Sequence, residues 1–473
     1  MSLQELKKTT SAAKAVAMRT YQDIAAYLDA RWSSAYTAQS KHSLIALDKA
    51  LGNPSQTLKK VYVAGTNSKS LTIHFTSRLF GEESLQCGAL YAPHIRLYQE
   101  RICIGTQEIS EKAFVDLACE VIEKVETVAP DASSTEILCM ITMLHSVRNN
   151  VEFALFEIDK FSQNHPLSAF IPDILTITRV TGKMGTEKQE ELNQEIFEVM
   201  QLAGSGTHVI TGDQTKHSVS CMQKLAEEKK CVWEMPIRKL VPLPYPYEQI
   251  HGRAAALAER ISQTYVKKFI EPFIAATSNG VLIKTKGKKG RPTLEAKKEL
   301  ELNPQKTLDQ FWCKTIAQLS GRFELLAQEK PNVLLDTASN LDAIENVLFG
   351  VRLLHYQKPL KGITLVIGAT AKNLEQETFM KILRYFAKKT GGMVAICPVQ
   401  EFVPGSYESD SWNAETMTNN IKGLKIKAKM FKTFVEAYNY AAQSVDSKDG
   451  LVVITGSKSI VHAYWNLQKQ LAA

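Results

Sequence analysis

The sequence predicts an α/β protein of two domains, each a largely parallel sheet covered by helices on both faces. Three observations carry this. Short apolar runs alternate with helical apolar spacing along most of the chain. Residues 60–80 pass from a buried strand through a turn of small residues into a helix. After a polar, Lys/Gly-rich stretch at 279–304 the strand–helix alternation starts again. At 473 residues the chain is also too long for one ordinary core, which asks for two domains or three.

The elements follow in order. Residues 20–51 carry helical spacing (Tyr21, Ile24, Ala25, Leu28, then Leu44, Leu47, Leu51), stopped by Gly52-Asn53-Pro54. A strand at 60–64 leads through the small-residue turn into a helix from about Leu71 to Phe80. A second strand at 86–91 ends in Ala92-Pro93-His94, and residues 100–104 and 107–110 precede a helix running through Val125. Residues 135–147 are apolar nearly all round and form a core helix. Buried strands follow at 153–158 and 174–178, and in the second domain at 333–335, 363–367 and 451–454. Sheets of this kind bind ligands at the carboxyl ends of their strands, where Gly65, Ala92 and Glu157 fall.

Composition narrows the function. Hydrophobic residues at 44% and charged residues at 22% describe a globular chain. The 57 basic and 49 acidic residues give +8, which suits anionic small molecules but is too diffuse for nucleic-acid binding. Eight cysteines without Cys-x-x-Cys spacing read as reduced core thiols, not a metal or disulfide framework. No apolar run is long enough for a bilayer, and the N-terminal residues lack a signal-peptide core. A cytoplasmic monomer with no membrane or nucleic-acid partner is expected.

The stretch Gly65-Thr66-Asn67-Ser68-Lys69-Ser70-Leu71-Thr72 carries the chemistry. A strand–turn–helix unit aims backbone N–H groups and a helix N-terminus at one spot, which suits a phosphate. Lys69 stands where a P-loop lysine neutralises the outer phosphates, with Ser68 in place of the second glycine. On this stretch alone, a nucleotide site and a non-functional βα turn both remain open. The basic run of Lys284, Lys286, Lys288, Lys289 and Arg291 reads as a solvated linker or hairpin.

An ordered series of short motifs then becomes informative. Gly52-Asn53-Pro54, Val63-Ala64-Gly65-Thr66-Asn67, Tyr91-x-Pro93-His94, Glu100-Arg101-Ile102 and Ile109-Ser110 are followed by Glu136 and Glu157. Gly321-Arg322-Phe323-Glu324, Leu335-Asp336-x-Ala338-x-Asn340, Val366-Ile367-Gly368-Ala369 and Val453-Ile454-Thr455-Gly456-Ser457 complete it. The series resembles the folylpolyglutamate synthase/dihydrofolate synthase branch of the Mur ligase superfamily over nearly the whole chain. The resemblance implies a P-loop central domain of Mur ligase type with a parallel sheet over residues 1–305, and a Rossmann-like C-terminal domain over 306–473. It also implies a ligase that joins a folate or pteroate carboxylate to glutamate with ATP and Mg²⁺, through an acyl phosphate.

Carried over residue by residue, the resemblance assigns ATP binding to Gly65, Thr66, Asn67, Ser68, Lys69, Ser70 and Thr72, with Arg322 and Asp336 from the second domain. It assigns the chemistry to Lys69 and Glu157, and Mg²⁺ to Glu157. The family's other metal ligands are replaced: its serine is Ala92, and its Asp-His pair falls in Thr181-Gly182-Lys183-Met184-Gly185. Lys183 is the candidate to neutralise phosphate directly. Leu71 stands where the family has a hydroxyl, with Thr72 as its substitute. Leu202 takes the place of the carbamylated lysine, Ser339 of a histidine, and Gly252 or Arg253 of an adenine-contacting asparagine. Three functions follow from this mixture: a divergent ligase of the family's type, a pseudo-ligase that binds a ligand or partner without chemistry, or a ligase acting on a different acid–amine pair.

Overall fold

The computed structural model describes residues 19–33, 35–181, 189–213, 215–235, 247–270, 319–370, 376–403 and 410–472, without side chains for 247–251, 376 and 472. Lys183, the basic run at 284–291, the expected boundary at 305 and Cys313 lie outside these residues. The described chain forms two sheets. The first has eight strands in the order β4-β3-β2-β5-β1-β6-β7-β8. These are β1 (Lys59–Ala64), β2 (Gly88–Leu90), β3 (Ile102–Ile104), β4 (Gln107–Glu108), β5 (Phe153–Glu157), β6 (Ile174–Ile177), β7 (His208–Thr211) and β8 (Val232–Glu234).

β1 is central, pairing parallel with β5 on one side and β6 on the other, so that Val63 lies level with both Glu157 and Thr176. It is apolar because helices cover both faces: Val61, Tyr62, Val63 and Ala64 are all fully buried. The sheet is not wholly parallel. β3 and β4 run antiparallel, because a short hairpin returns the chain at the edge.

The second sheet has the order β13-β12-β11-β14-β10-β9. Its strands are β9 (Glu324–Leu326), β10 (Asn332–Leu335), β11 (Ile363–Ile367), β12 (Met393–Ile396), β13 (Ala428–Met430) and β14 (Leu451–Thr455). All pairings are parallel except β9 on β10.

The helix Lys69–Glu82 joins the two halves. Its Leu71, Phe75 and Leu79 share one apolar cluster with Ala254 and Ala258 of the helix Tyr247–Tyr265 and with Leu334, Ile344 and Val347 beside the second sheet. Leu71 is therefore part of an apolar seam between the sheets, which accounts for the missing hydroxyl there. The core helix expected at 135–147 is observed as Ser134–Arg148, capped by Ser133. Glu136 in its first turn is 1% exposed and held by the Ser133 hydroxyl, a buried capping residue with its carboxyl raised by burial. Seven of the cysteines are described and all are free thiols. No described helix is long and apolar enough to cross a membrane.

Candidate functional site

The turn after β1 is shaped by two unusual backbone positions. Gly65 has φ +132°, and a Cβ there would lie 2.0 Å from Thr178 Oγ1. Ser68 has φ 66°, the left-handed conformation that glycine adopts without strain, at a cost of roughly 1 kcal/mol for serine. The helix begins at Lys69, two residues earlier than its apolar spacing indicates, because Ser68 serves as the N-cap. Thr72 N donates to Ser68 O at 3.0 Å, so the N–H groups of Lys69, Ser70 and Leu71 precede the first helical bond and point into the turn.

Lys69 is half-buried and donates from Nζ to Gly65 O at 2.8 Å and Thr66 O at 3.4 Å. Burial lowers its pKa, opposed by the charges of Glu157 and Asp159. Glu157, at the tip of β5, is 5% exposed. Its Oε2 accepts from Ser70 Oγ at 2.9 Å and from Ala92 N at 3.2 Å. Burial raises its carboxyl, with Lys69 and Arg322 pulling the other way. The ammonium and the carboxylate thus belong to one electrostatic site.

That site is a cleft of about 1010 Å³ between the two sheets. Thr66, Asn67, Ser68, Lys69, Ser70 and Glu157 line it from one side, Arg322 and Asp336 from the other. The carboxyl ends of β1, β5, β10 and β14 all open here, as strand-end sites in α/β sheets require. Gly65 lies just behind the lining and shapes the turn.

Thr72 is a correction. It is fully buried and its hydroxyl donates to Ser68 O at 2.9 Å, so it turns back into the helix and away from the cleft. Threonine inside a helix commonly bonds the carbonyl four residues back. Thr66 is also engaged: its N–H goes to Arg179 O at 2.7 Å and its Oγ1 accepts from Thr181 N at 3.0 Å.

Asp336 accepts from Phe323 N at 2.7 Å on one oxygen and from Ala338 N at 2.8 Å on the other, bracing the loop that carries Arg322. Burial pushes its carboxyl up to about 6 against the pull of Arg322. Because the folded value exceeds the usual 3.8, its stabilising contribution is complete below about pH 4 and is lost as pH rises through 6. The stability advantage of the natural protein over Asp336→Asn is therefore expected to shrink between those pH values. Urea titrations at each pH measure this, and a constant difference would contradict it.

A polar bridge that local patterning does not reveal crosses the cleft mouth. Asn67 Nδ2 donates to Asp342 Oδ2 at 2.7 Å and to Asn340 Oδ1 at 3.1 Å, while Asn340 Nδ2 returns a bond to Asn67 Oδ1 at 2.9 Å. Asp342 also pairs with Arg179, which follows β6. The Asp342→Ala variant is expected to lose about 1–3 kcal/mol of stability, read from denaturant midpoints, since it strands two half-buried donors.

His94 is buried against Tyr98, ring centroids 4.2 Å apart, and burial holds it neutral well below its ordinary range, so it is a packing residue. Leu202 is a core side chain at 3% exposure. Among the described residues no group of three His, Cys, Asp or Glu is placed to hold a metal. Two further carboxylates are held by their own partners: Asp159 accepts from Tyr36 Oη and pairs with His165 Nε2, and Asp336 braces its loop. Glu157 offers one carboxylate, and Ala92 offers none. Among the described residues this donor set offers Mg²⁺ one carboxylate, leaving most of its octahedron to water and ligand oxygens.

Residues 321–458 match the model of the Mur ligase glutamate ligase domain. The chain is 20% identical over 363 residues to a folylpolyglutamate synthase of Lacticaseibacillus casei, covering 74% of this chain and 80% of that protein. It overlays on the Mycobacterium tuberculosis folylpolyglutamate synthase complexed with ADP with a TM-score of 0.72 at 14% identity, covering 94% of this chain and 98% of the other. The Yersinia pestis bifunctional folylpolyglutamate synthase/dihydrofolate synthase complexed with AMPPNP and a Mn ion gives 0.69 at 15%, covering 95% and 99%. The chain thus has the fold of these folylpolyglutamate synthase structures and carries a match to the Mur ligase glutamate ligase domain. The matched stretch starts at Gly321 and includes Arg322 and Asp336 among the residues that line the cleft.

Proposed function

We propose that the cleft holds ATP and that the chain is a divergent ATP-dependent carboxylate–amine ligase acting on a folate- or pteroate-type acid and glutamate. One observation carries this reading: Lys69 and Glu157 from one sheet and Arg322 and Asp336 from the other line a single cleft beside a phosphate turn. The relatives complexed with ADP and with AMPPNP support the nucleotide by likeness.

In this reading the outer phosphates lie over the first-turn N–H groups with Lys69 beside them. The acid's carboxylate oxygen attacks the γ-phosphorus and ADP leaves; the amine of glutamate then attacks the acyl carbon, losing a proton as the acyl–phosphate C–O bond breaks and phosphate departs. The protein's share is positioning and charge neutralisation. Asp336 meets a ribose hydroxyl on its remaining lone pairs, and Lys183 adds positive charge to the phosphates.

A second reading, the pseudo-ligase, is favoured by a different observation. Asn67 and Arg179 are committed to Asn340 and Asp342, and Lys69 to two carbonyls, so the chain's own groups take up hydrogen bonds that a nucleotide would use. The two readings part in an assay of ADP release with dihydropteroate or tetrahydrofolate plus glutamate. Release that depends on both the acid and glutamate establishes the ligase. ATP binding without release under any pairing establishes the pseudo-ligase.

A further inference from the structure

Among the described residues the cleft offers a metal one strand-end carboxylate beside the turn, and it is rich in guanidinium. Seven basic and four acidic side chains line it. Glu157 is its strand-end carboxylate, with one oxygen already accepting two hydrogen bonds. Around the phosphate turn stand Lys69, Arg179 and Arg253, with Arg322 opposite. Arg179 follows β6, and Arg253 is half-buried on the helix Tyr247–Tyr265. Arg253 makes no side-chain hydrogen bond among the described residues. Burial first, and then the charge of Arg179, pull it below its usual value, with Asp342 and Asp213 opposing. Two neighbouring half-buried cations repel one another, and an anion seated between them relieves that repulsion.

We propose that the phosphates of a nucleotide in this cleft are neutralised by Arg179 and Arg253 together with Lys69, and that the nucleotide binds without a divalent cation. The proposal rests on the nucleotide reading above. The guanidinium fork presents paired donors that match a phosphate group, and it carries its charge at any accessible pH. Arg179 is already aimed into the cleft by Asp342, and it exchanges that carboxylate for phosphate oxygens as the ligand enters.

The experiment is calorimetric titration of the full-length protein with ATP, once in EDTA and once in excess Mg²⁺. The two affinities are expected to agree within about threefold. Arg253→Gln is expected to weaken binding in EDTA about 10- to 100-fold with an unchanged unfolding midpoint, and Arg253→Lys to fall between. Should Arg253→Gln fail to fold, Arg179→Gln and a steep loss of affinity with added salt in the natural protein read the same interaction. Binding that appears only with Mg²⁺ overturns the proposal and leaves the nucleotide reading standing. No binding in either buffer overturns both. Binding in EDTA that is indifferent to both arginines and to salt also overturns the assignment.

Discussion

Lys69→Ala is expected to remove ATP binding from the cleft, a loss of more than about 100-fold in affinity, while changing stability by no more than about 1 kcal/mol. The two effects separate because the lysine does different work in the two states. In the free protein the ammonium is satisfied by Gly65 O and Thr66 O, and the hydrogen bonds contribute modestly. Against this stands the cost of holding a partly buried cation, which burial makes easier to deprotonate. Removing the side chain forfeits the first and relieves the second, so the net change is small. With a phosphate in the turn the balance tips, since the same ammonium then meets full negative charge at short range. Calorimetry with ATP and a urea titration of the same variant test both halves. If Lys69→Ala binds ATP within about threefold of the natural protein, the phosphate turn is not a nucleotide site. If it fails to fold, the lysine is a structural residue of the turn.

The parts of this site that could be read in the sequence are those encoded locally. An apolar run, small residues and a lysine at a helix start specify a βα turn through neighbours in the chain. The left-handed conformation of Ser68 follows from its standing where a glycine is expected, and the observed φ of 66° agrees. Glu157 was legible because a buried strand with an acid at its end is rare unless the end faces a polar site.

What escaped depends on contacts distant in sequence. Asp342 reads as an ordinary first-turn acid, yet it meets Asn67 and Arg179, 275 and 163 residues away. Arg253 was legible only as a replaced asparagine, because nothing in the helix Tyr247–Tyr265 says which strand end it will overlie. Thr72 stands one residue from the position where the family has its hydroxyl. On a helix one residue is a rotation of about 100°, enough to turn the side chain onto its own backbone. Leu71, which stands where the family has a hydroxyl, is 6% exposed between the sheets and has a packing role that a hydroxyl would fill badly.

The turn itself can be tested apart from any ligand. Gly65→Ala is expected to cost about 3–5 kcal/mol, a large effect for one methyl group. Part of it is backbone strain, since φ +132° is a conformation that side chains rarely adopt. The larger part is contact. The new Cβ would lie 2.0 Å from Thr178 Oγ1 and 3.0 Å from Arg179 O. Thr178 is not free to retreat, because its hydroxyl donates to Asn67 O at 2.6 Å, and Arg179 O holds Thr66 N at 2.7 Å. Gly105 provides the control. Its φ is +60° with nothing within 4 Å of a built Cβ, so Gly105→Ala isolates strain without collision and is expected to cost about 1 kcal/mol. Denaturant midpoints of the two variants, compared with the natural protein, give the contact contribution by difference. A cost at Gly65 no greater than at Gly105 would mean that β6 and the turn move apart easily. A turn that yields in this way would not hold its N–H groups in register for a phosphate, and Lys69 would lose the rigid frame on which its role depends.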